Sequence, residues 1–201
     1  MFQRINRRFN YKLTDMSVTL VLILINIGIY IAGLVLLFGK GIDISERFGL
    51  LPSAVFNEGQ FERLFTCMFL HADISHIGSN MFALFCMGYV YERAAGKGRH
   101  IKMLVTYLLS GLCGSVLVLF ISEPDVITLG ASGCIFGVMA AAFIMMIKYG
   151  NFYGIRALLL NLVVNISATY HTPGISIGGH MGGLAGGLVL GAFLINDRDR
   201  F

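Results

Sequence analysis

Of the 201 residues, 56% are hydrophobic and 13% charged, and the mean hydropathy is +0.77, which excludes an ordinary soluble domain and describes a chain that meets lipid. The formal net charge of +4 and the pI near 9.0 follow from the side of the bilayer on which the basic residues sit, and call for no nucleic-acid partner. Cys67, Cys86, Cys113 and Cys134 fall in or beside apolar segments without metal-ligand spacing, which leaves them as packing residues.

The chain opens on a short basic tail, residues 1–13, containing MFQRINRRFNYK. The apolar run at 17–38 is too long for the core of a signal peptide and no small-residue cleavage site follows, so it reads as a retained first span. A bilayer is crossed by about 20 apolar helical residues, and further runs occur at 75–92, 101–121, 127–147, 157–170 and 175–195. Six spans predict an all-α membrane bundle, a single integral domain over 1–201 with no soluble domain appended. Between the first two spans, 39–74 carries apolar pieces such as Phe48-Gly-Leu-Leu51 that are too short to cross, and reads as an external, interfacial or re-entrant element. The fifth span, interrupted by Asn161 and Asn165, is the weakest and the candidate gate. No internal repeat of the kind found in many carriers is visible.

With the N-terminus inside, twelve of the 15 lysines and arginines lie on inner segments, and only Lys40, Arg47 and Arg63 lie outside. Both termini are therefore expected to be cytoplasmic, in a membrane that the compact form suggests is bacterial and plasma.

Polar side chains within spans are expensive and are functional candidates by default. Ser132, His180, His76 and Asn80 all fall near the outer face. Ser132 and His180 each lie five residues into their spans, roughly 7–8 Å below the outer end if the segments are helical throughout. Gly179, Gly183, Gly187 and Gly191 in span six, and Gly133 and Gly137 in span four, form small-residue faces that let two helices approach closely. Such packing brings imidazole to hydroxyl, and a neutral histidine is the base a serine nucleophile needs. Neither span four nor span six carries an Asp or Glu, so a catalytic pair here is a dyad without the third, orienting carboxylate. His76 and Asn80 share one face of span two and, with the backbone N–H of Ser132, make a donor set for an oxyanion. Taken singly, the serine is a packing residue and the asparagine interhelical glue; their common level near one face is what a neutral scaffold does not require. His71, His76 and His180 could instead ligate a metal, but there is no H-E-x-x-H, and neither metal nor other cofactor is expected. His71 is expected to hydrogen-bond within the outer loop.

These residues resemble the motifs of the rhomboid intramembrane serine proteases. Gly130-Ala-Ser-Gly133 is similar to the family's G-x-S-G nucleophile motif, Gly179-His180 and the following glycines to its sixth-helix motif, and His71 to Asn80 to its second-helix motif. The resemblance implies Ser132 as nucleophile, His180 as base, His76 and Asn80 in the oxyanion hole, and Phe136 packed against the histidine. It also implies membrane-anchored protein substrates within the bilayer, an outer loop lying sideways in the membrane, and entry governed by the fifth helix. One departure is Glu62-Arg63 where the family commonly has Trp-Arg, which puts the anchoring of the loop in question. A non-proteolytic protein that binds or escorts client helices, and a carrier or channel, are the alternatives.

Overall fold

The computed structural model describes residues 16–148, 150, 155–156, 158–160, 162–163 and 176–194. The first apolar run forms α1, Ser17–Lys40, and stops where Gly41 turns left-handed at φ 64° and its N–H bonds back to Leu36 and Leu37 carbonyls. The outer loop then folds as three short helices, α2 (Ile44–Phe48), α3 (Pro52–Glu58) and α4 (Arg63–Thr66), with a 3-10 turn over Cys67–Phe69. Asp43 caps α2 by accepting from Ser45 N–H at 2.7 Å, and Pro52 starts α3, where its missing N–H costs nothing.

Arg63 ties these pieces together. Its guanidinium is buried and donates from Nη1 to the carbonyls of Glu46 at 2.9 Å and Gly49 at 2.6 Å. Thr66 adds a bond to the Phe48 carbonyl at 2.6 Å. The loop is thus anchored by the arginine of the Glu62-Arg63 pair and does not need a tryptophan before it. Phe48, Phe56, Phe61 and Phe65 remain exposed on it, the apolar surface an element lying against lipid presents.

Four longer helices follow: α5 (Ile74–Ala94), α6 (Arg99–Ile121), α7 (Ser132–Lys148) and α8 (Ile177–Leu194). By length and composition α1, α6 and α8 can each cross a membrane, and α7 is a shorter apolar helix. At 17 residues, α7 is about 26 Å long. It is the central helix, buried at every position from Gly133 to Ala142, and α8 packs against both it and α6. Glycine makes this possible: a methyl group added at Gly187 would overlap the Gly137 carbonyl oxygen, and one at Gly182 would lie 2.6 Å from the Cys113 carbonyl oxygen.

The fourth apolar run differs from its expected bounds of 127–147. Its helix begins at Ser132, and residues 127–131 before it are not helical. Leu50 and Thr128 exchange backbone bonds of 2.9 and 2.8 Å, and Gly130 N–H donates to the Cys67 carbonyl at 2.9 Å. The outer loop therefore satisfies both backbone groups of Thr128 and the N–H of Gly130, which need no helix at this depth. Most of the expected fifth span, the segment before α8 and both terminal tails lie outside the described residues.

At the other end of the bundle a carboxylate missed by the span-by-span reading joins three helices. Glu92, fully buried on α5, accepts from Thr19 N–H at 2.8 Å, from Thr19 Oγ1 at 2.6 Å, and contacts His100 Nδ1 of α6 at 2.6 Å. Gly88 leaves room for Thr19, whose Cγ2 would be 2.6 Å from an added methyl. Glu92→Ala strips the acceptor from buried donors, each such loss costing about 1–3 kcal/mol. We expect the variant to unfold at clearly lower temperature in detergent, read by circular dichroism, with Thr19→Val, which leaves the backbone N–H bond to Glu92 in place, less affected.

Candidate active site

Two local devices position the polar side chains. Asp73 precedes α5 and accepts from His76 N–H at 2.8 Å, the N-cap arrangement that sets the register of the first turn and places His76 at its end. Ser176 precedes α8 and accepts from Gly179 N–H at 3.1 Å, while its carbonyl accepts from His180 N–H at 3.2 Å. His180 thus enters from a capped helix start and is buried.

The backbone of α8 is wedged at Gly179. A methyl on Gly133 of α7 would lie 2.9 Å from the Gly179 carbonyl oxygen, and one on Gly114 of α6 would lie 2.5 Å from the same atom. Close approach brings the His180 ring onto Phe136, stacked with centroids 4.2 Å apart and planes 20° from parallel. Phe136 is one turn after Ser132 on the same face of α7. The resemblance assigned this aromatic contact to Phe136, and the contact is present.

Ser132 is the first residue of α7 and half-buried. Its N–H belongs to the first turn, whose donors have no partner within the helix and lie at the positive end of the helix dipole. Beside it is Gly130, at φ 126°, a backbone conformation that side chains disfavour. A methyl on Gly130 would meet His76 Nε2 at 2.8 Å and lie 3.9 Å from Ser132 Oγ. The α-carbon of Gly130 is therefore flanked by a hydroxyl and by an imidazole nitrogen, the latter at an approach only glycine permits.

Gly130→Ala should consequently do more than strain the backbone. A left-handed non-glycine residue costs about 1–3 kcal/mol, and the methyl displaces His76 from its place beside the α-carbon. If His76 serves as the oxyanion donor the resemblance implies, whose loss costs about 10²–10³ in turnover, kcat should fall by that order, measured on protein whose helix content by circular dichroism is unchanged.

Asn80 is buried one turn below His76, and its amide donates to the His76 carbonyl at 3.1 Å. Among the described residues no hydrogen bond links Asn80 to Ser132. His71 does not behave as the sequence suggested. It is 6% exposed, neither ring nitrogen has a hydrogen-bond partner among the described residues, and its ring meets the edge of His76 with centroids 5.1 Å apart. Burial first, then His76, push its pKa down to about 4 against a weak upward pull from the Phe69 backbone, so it is uncharged at neutral pH. Cys134 is fully buried, its sulfur turned toward Gly111 and α6.

A protein-family model described as the Rhomboid domain matches residues 58–197. RHOMBOID-like protein 5 of Arabidopsis thaliana is 30% identical over 166 residues, 80% of this chain and 52% of that protein. Rhomboid protease GluP of Bacillus subtilis (strain 168) is 32% identical over 151 residues, 73% of this chain and 29% of that protein. Rhomboid protease AarA of Providencia stuartii is 32% identical over 162 residues, 72% of this chain and 56% of that protein. The chain spans about half the length of the first of these curated relatives.

Proposed function

This chain belongs to the rhomboid family, and on that premise we propose that it is an intramembrane serine endopeptidase that cleaves membrane-anchored proteins in or beside their transmembrane segment. It is a multi-pass integral membrane protein, by its apolar helices and its family. In the proposed reaction His180 takes the proton of Ser132 Oγ, the alkoxide attacks the substrate carbonyl, and His180 returns the proton to the leaving amine. Water then hydrolyses the acyl-enzyme by the same route. His76 Nε2 and the Ser132 N–H stabilise the oxyanion, with Asn80 as a further donor once its amide leaves the His76 carbonyl. The bias of basic residues supports an orientation with both termini cytoplasmic and the site opening to the outer face of a bacterial plasma membrane.

The observation that carries this reading is the α-carbon of Gly130, flanked at once by Ser132 Oγ and His76 Nε2. A nucleophile and an oxyanion donor converging on one point of the backbone is what acyl transfer requires. A helical substrate hides its carbonyls in hydrogen bonds, so segments with helix-breaking or small residues should be preferred.

The test is purified protein in liposomes with a transmembrane reporter, alongside a serine-directed fluorophosphonate. Cleavage with labelling confined to Ser132 is the expected result. Absence of both would overturn the protease reading in favour of a protein that binds client helices without cutting them.

A further inference from the structure

We propose that His71 is a positioning residue for His76, one that holds the His76 ring in the orientation and tautomer in which Nε2 carries its proton toward Gly130. Its consequence for turnover rests on the proposed protease chemistry; its geometric content does not.

The tautomer follows from one contact. Ala72 N–H donates to His76 Nδ1 at 3.5 Å. A neutral imidazole has a single proton, so an Nδ1 that accepts leaves that proton on Nε2. Nε2 is also the ring atom nearest the missing methyl of Gly130, at 2.8 Å. The donor thus points where an oxyanion donor is needed.

What aims the Ala72 N–H is the residue before it. Ala72 is itself exposed, with no side chain to fix its own peptide plane. Its neighbours do so from both sides: Asp73 is tied to His76 N–H at 2.8 Å, and His71 is sunk into the protein at 6% exposure next to buried Leu70. The His71 ring stands across the His76 ring at 72°, with centroids 5.1 Å apart. In that place it obstructs rotation of the His76 ring, which would carry Nδ1 away from Ala72. Burial keeps His71 uncharged at neutral pH, so no cation is placed beside the His76 donor.

Both His71 ring nitrogens are buried without a hydrogen-bond partner among the described residues. The residue therefore acts as a shaped ring and a backbone anchor, not as a link in a proton relay. Phenylalanine should replace it, because an apolar ring of similar shape leaves no buried nitrogen unsatisfied; alanine should not.

The experiment uses the full chain in liposomes with ¹⁵N-labelled histidine, reading the His76 imidazole nitrogens by solid-state NMR and assigning them by their loss in His76→Gln. Cleavage of the transmembrane reporter is measured in parallel. We expect the Nε2–H tautomer in the unaltered protein and in His71→Phe, which should cleave within about threefold of the parent rate. His71→Ala should give a mixture of tautomers and a kcat at least tenfold lower with KM unchanged, a smaller loss than the roughly 10²–10³ that outright removal of a donor costs. In a His76→Ala background the same change should alter kcat by less than twofold, because a residue acting only through His76 has nothing left to act on. Should His71→Ala fail to fold, His71→Leu fills the volume without an edge-on ring and takes its place. An Nδ1–H tautomer in the unaltered protein, an unchanged tautomer in the alanine or leucine variant, or an equal loss of rate with and without His76 would each overturn the proposal. If the unaltered protein cuts no reporter, the protease reading fails and the NMR result still decides the role of His71.

Discussion

Ser132→Ala and His180→Phe are each expected to abolish reporter cleavage while the protein stays folded. In a serine protease built on a triad, loss of the nucleophile or base costs on the order of 10⁶ in kcat, well below the detection floor of a liposome assay. Ser132 is half-buried at the first position of α7, so removing one oxygen leaves α7 and its glycine contacts in place. Phenylalanine is the more informative change at 180. The imidazole is stacked on Phe136 at 4.2 Å, and alanine would remove that ring as well as the base, mixing a packing loss of about 0.5–1.5 kcal/mol with the chemical one. A phenyl ring keeps the stack and withdraws only the nitrogens. The double variant should be no less active than either single one, since groups that act as a unit are not additive. Residual cleavage by Ser132→Ala near the parent rate would assign the chemistry elsewhere.

The same two residues show what could be read from the chain and what could not. The proposed pairing of Ser132 with His180 is suggested in the sequence by the four-residue spacing of Gly179, Gly183 and Gly187 against Gly133 and Gly137, because helix periodicity puts such residues on one stripe and bare backbone lets two stripes close; the close approach of the two backbones is what the structure shows. A depth counted from residue 127 requires helix over 127–131, whereas Thr128 pairs with Leu50, Gly130 bonds to Cys67, and the helix starts only at Ser132. An apolar run looks alike in either conformation, and the partners that satisfy its backbone lie some 60 or more residues away in sequence. A helix that starts at Ser132 places the Ser132 N–H at its positive end, which suits the proposed oxyanion role of that N–H. His71 was misjudged for a related reason. A histidine in an outer loop invites a hydrogen-bond role, and nothing local discloses that the loop folds it inward against His76. Asp73 and Ser176, three residues before the N–H groups they cap, carried a signal that was present and overlooked. Glu92 escaped because its partners, Thr19 and His100, belong to other helices.

Gly183→Ala is expected to bring cleavage down at least 100-fold and to lower thermal stability in detergent, although it adds one methyl group and removes no titratable atom. The added carbon would overlap the carbonyl oxygen of Gly133 and lie 2.7 Å from its carbonyl carbon and 3.0 Å from its α-carbon. All three are backbone atoms of α7, so no side chain can rotate to make room; the two helices must separate. Overpacking of this kind costs about 1–3 kcal/mol and occasionally more. The catalytic penalty is larger than the structural one because of position. Gly133 adjoins Ser132, and Gly183 is one turn after His180, so separating α7 from α8 here widens the distance between the proposed nucleophile and base, and a displacement of about 1 Å at a reacting pair can cost 10²-fold. Gly28→Ala on α1 is the matched control. An added methyl there meets nothing within 4 Å, and replacing glycine within a helix favours the helix by up to about 1 kcal/mol, so this variant should cut at the parent rate and melt no lower. Equal activity of Gly183→Ala and Gly28→Ala would mean that the close seam between α7 and α8 is not what holds Ser132 to His180.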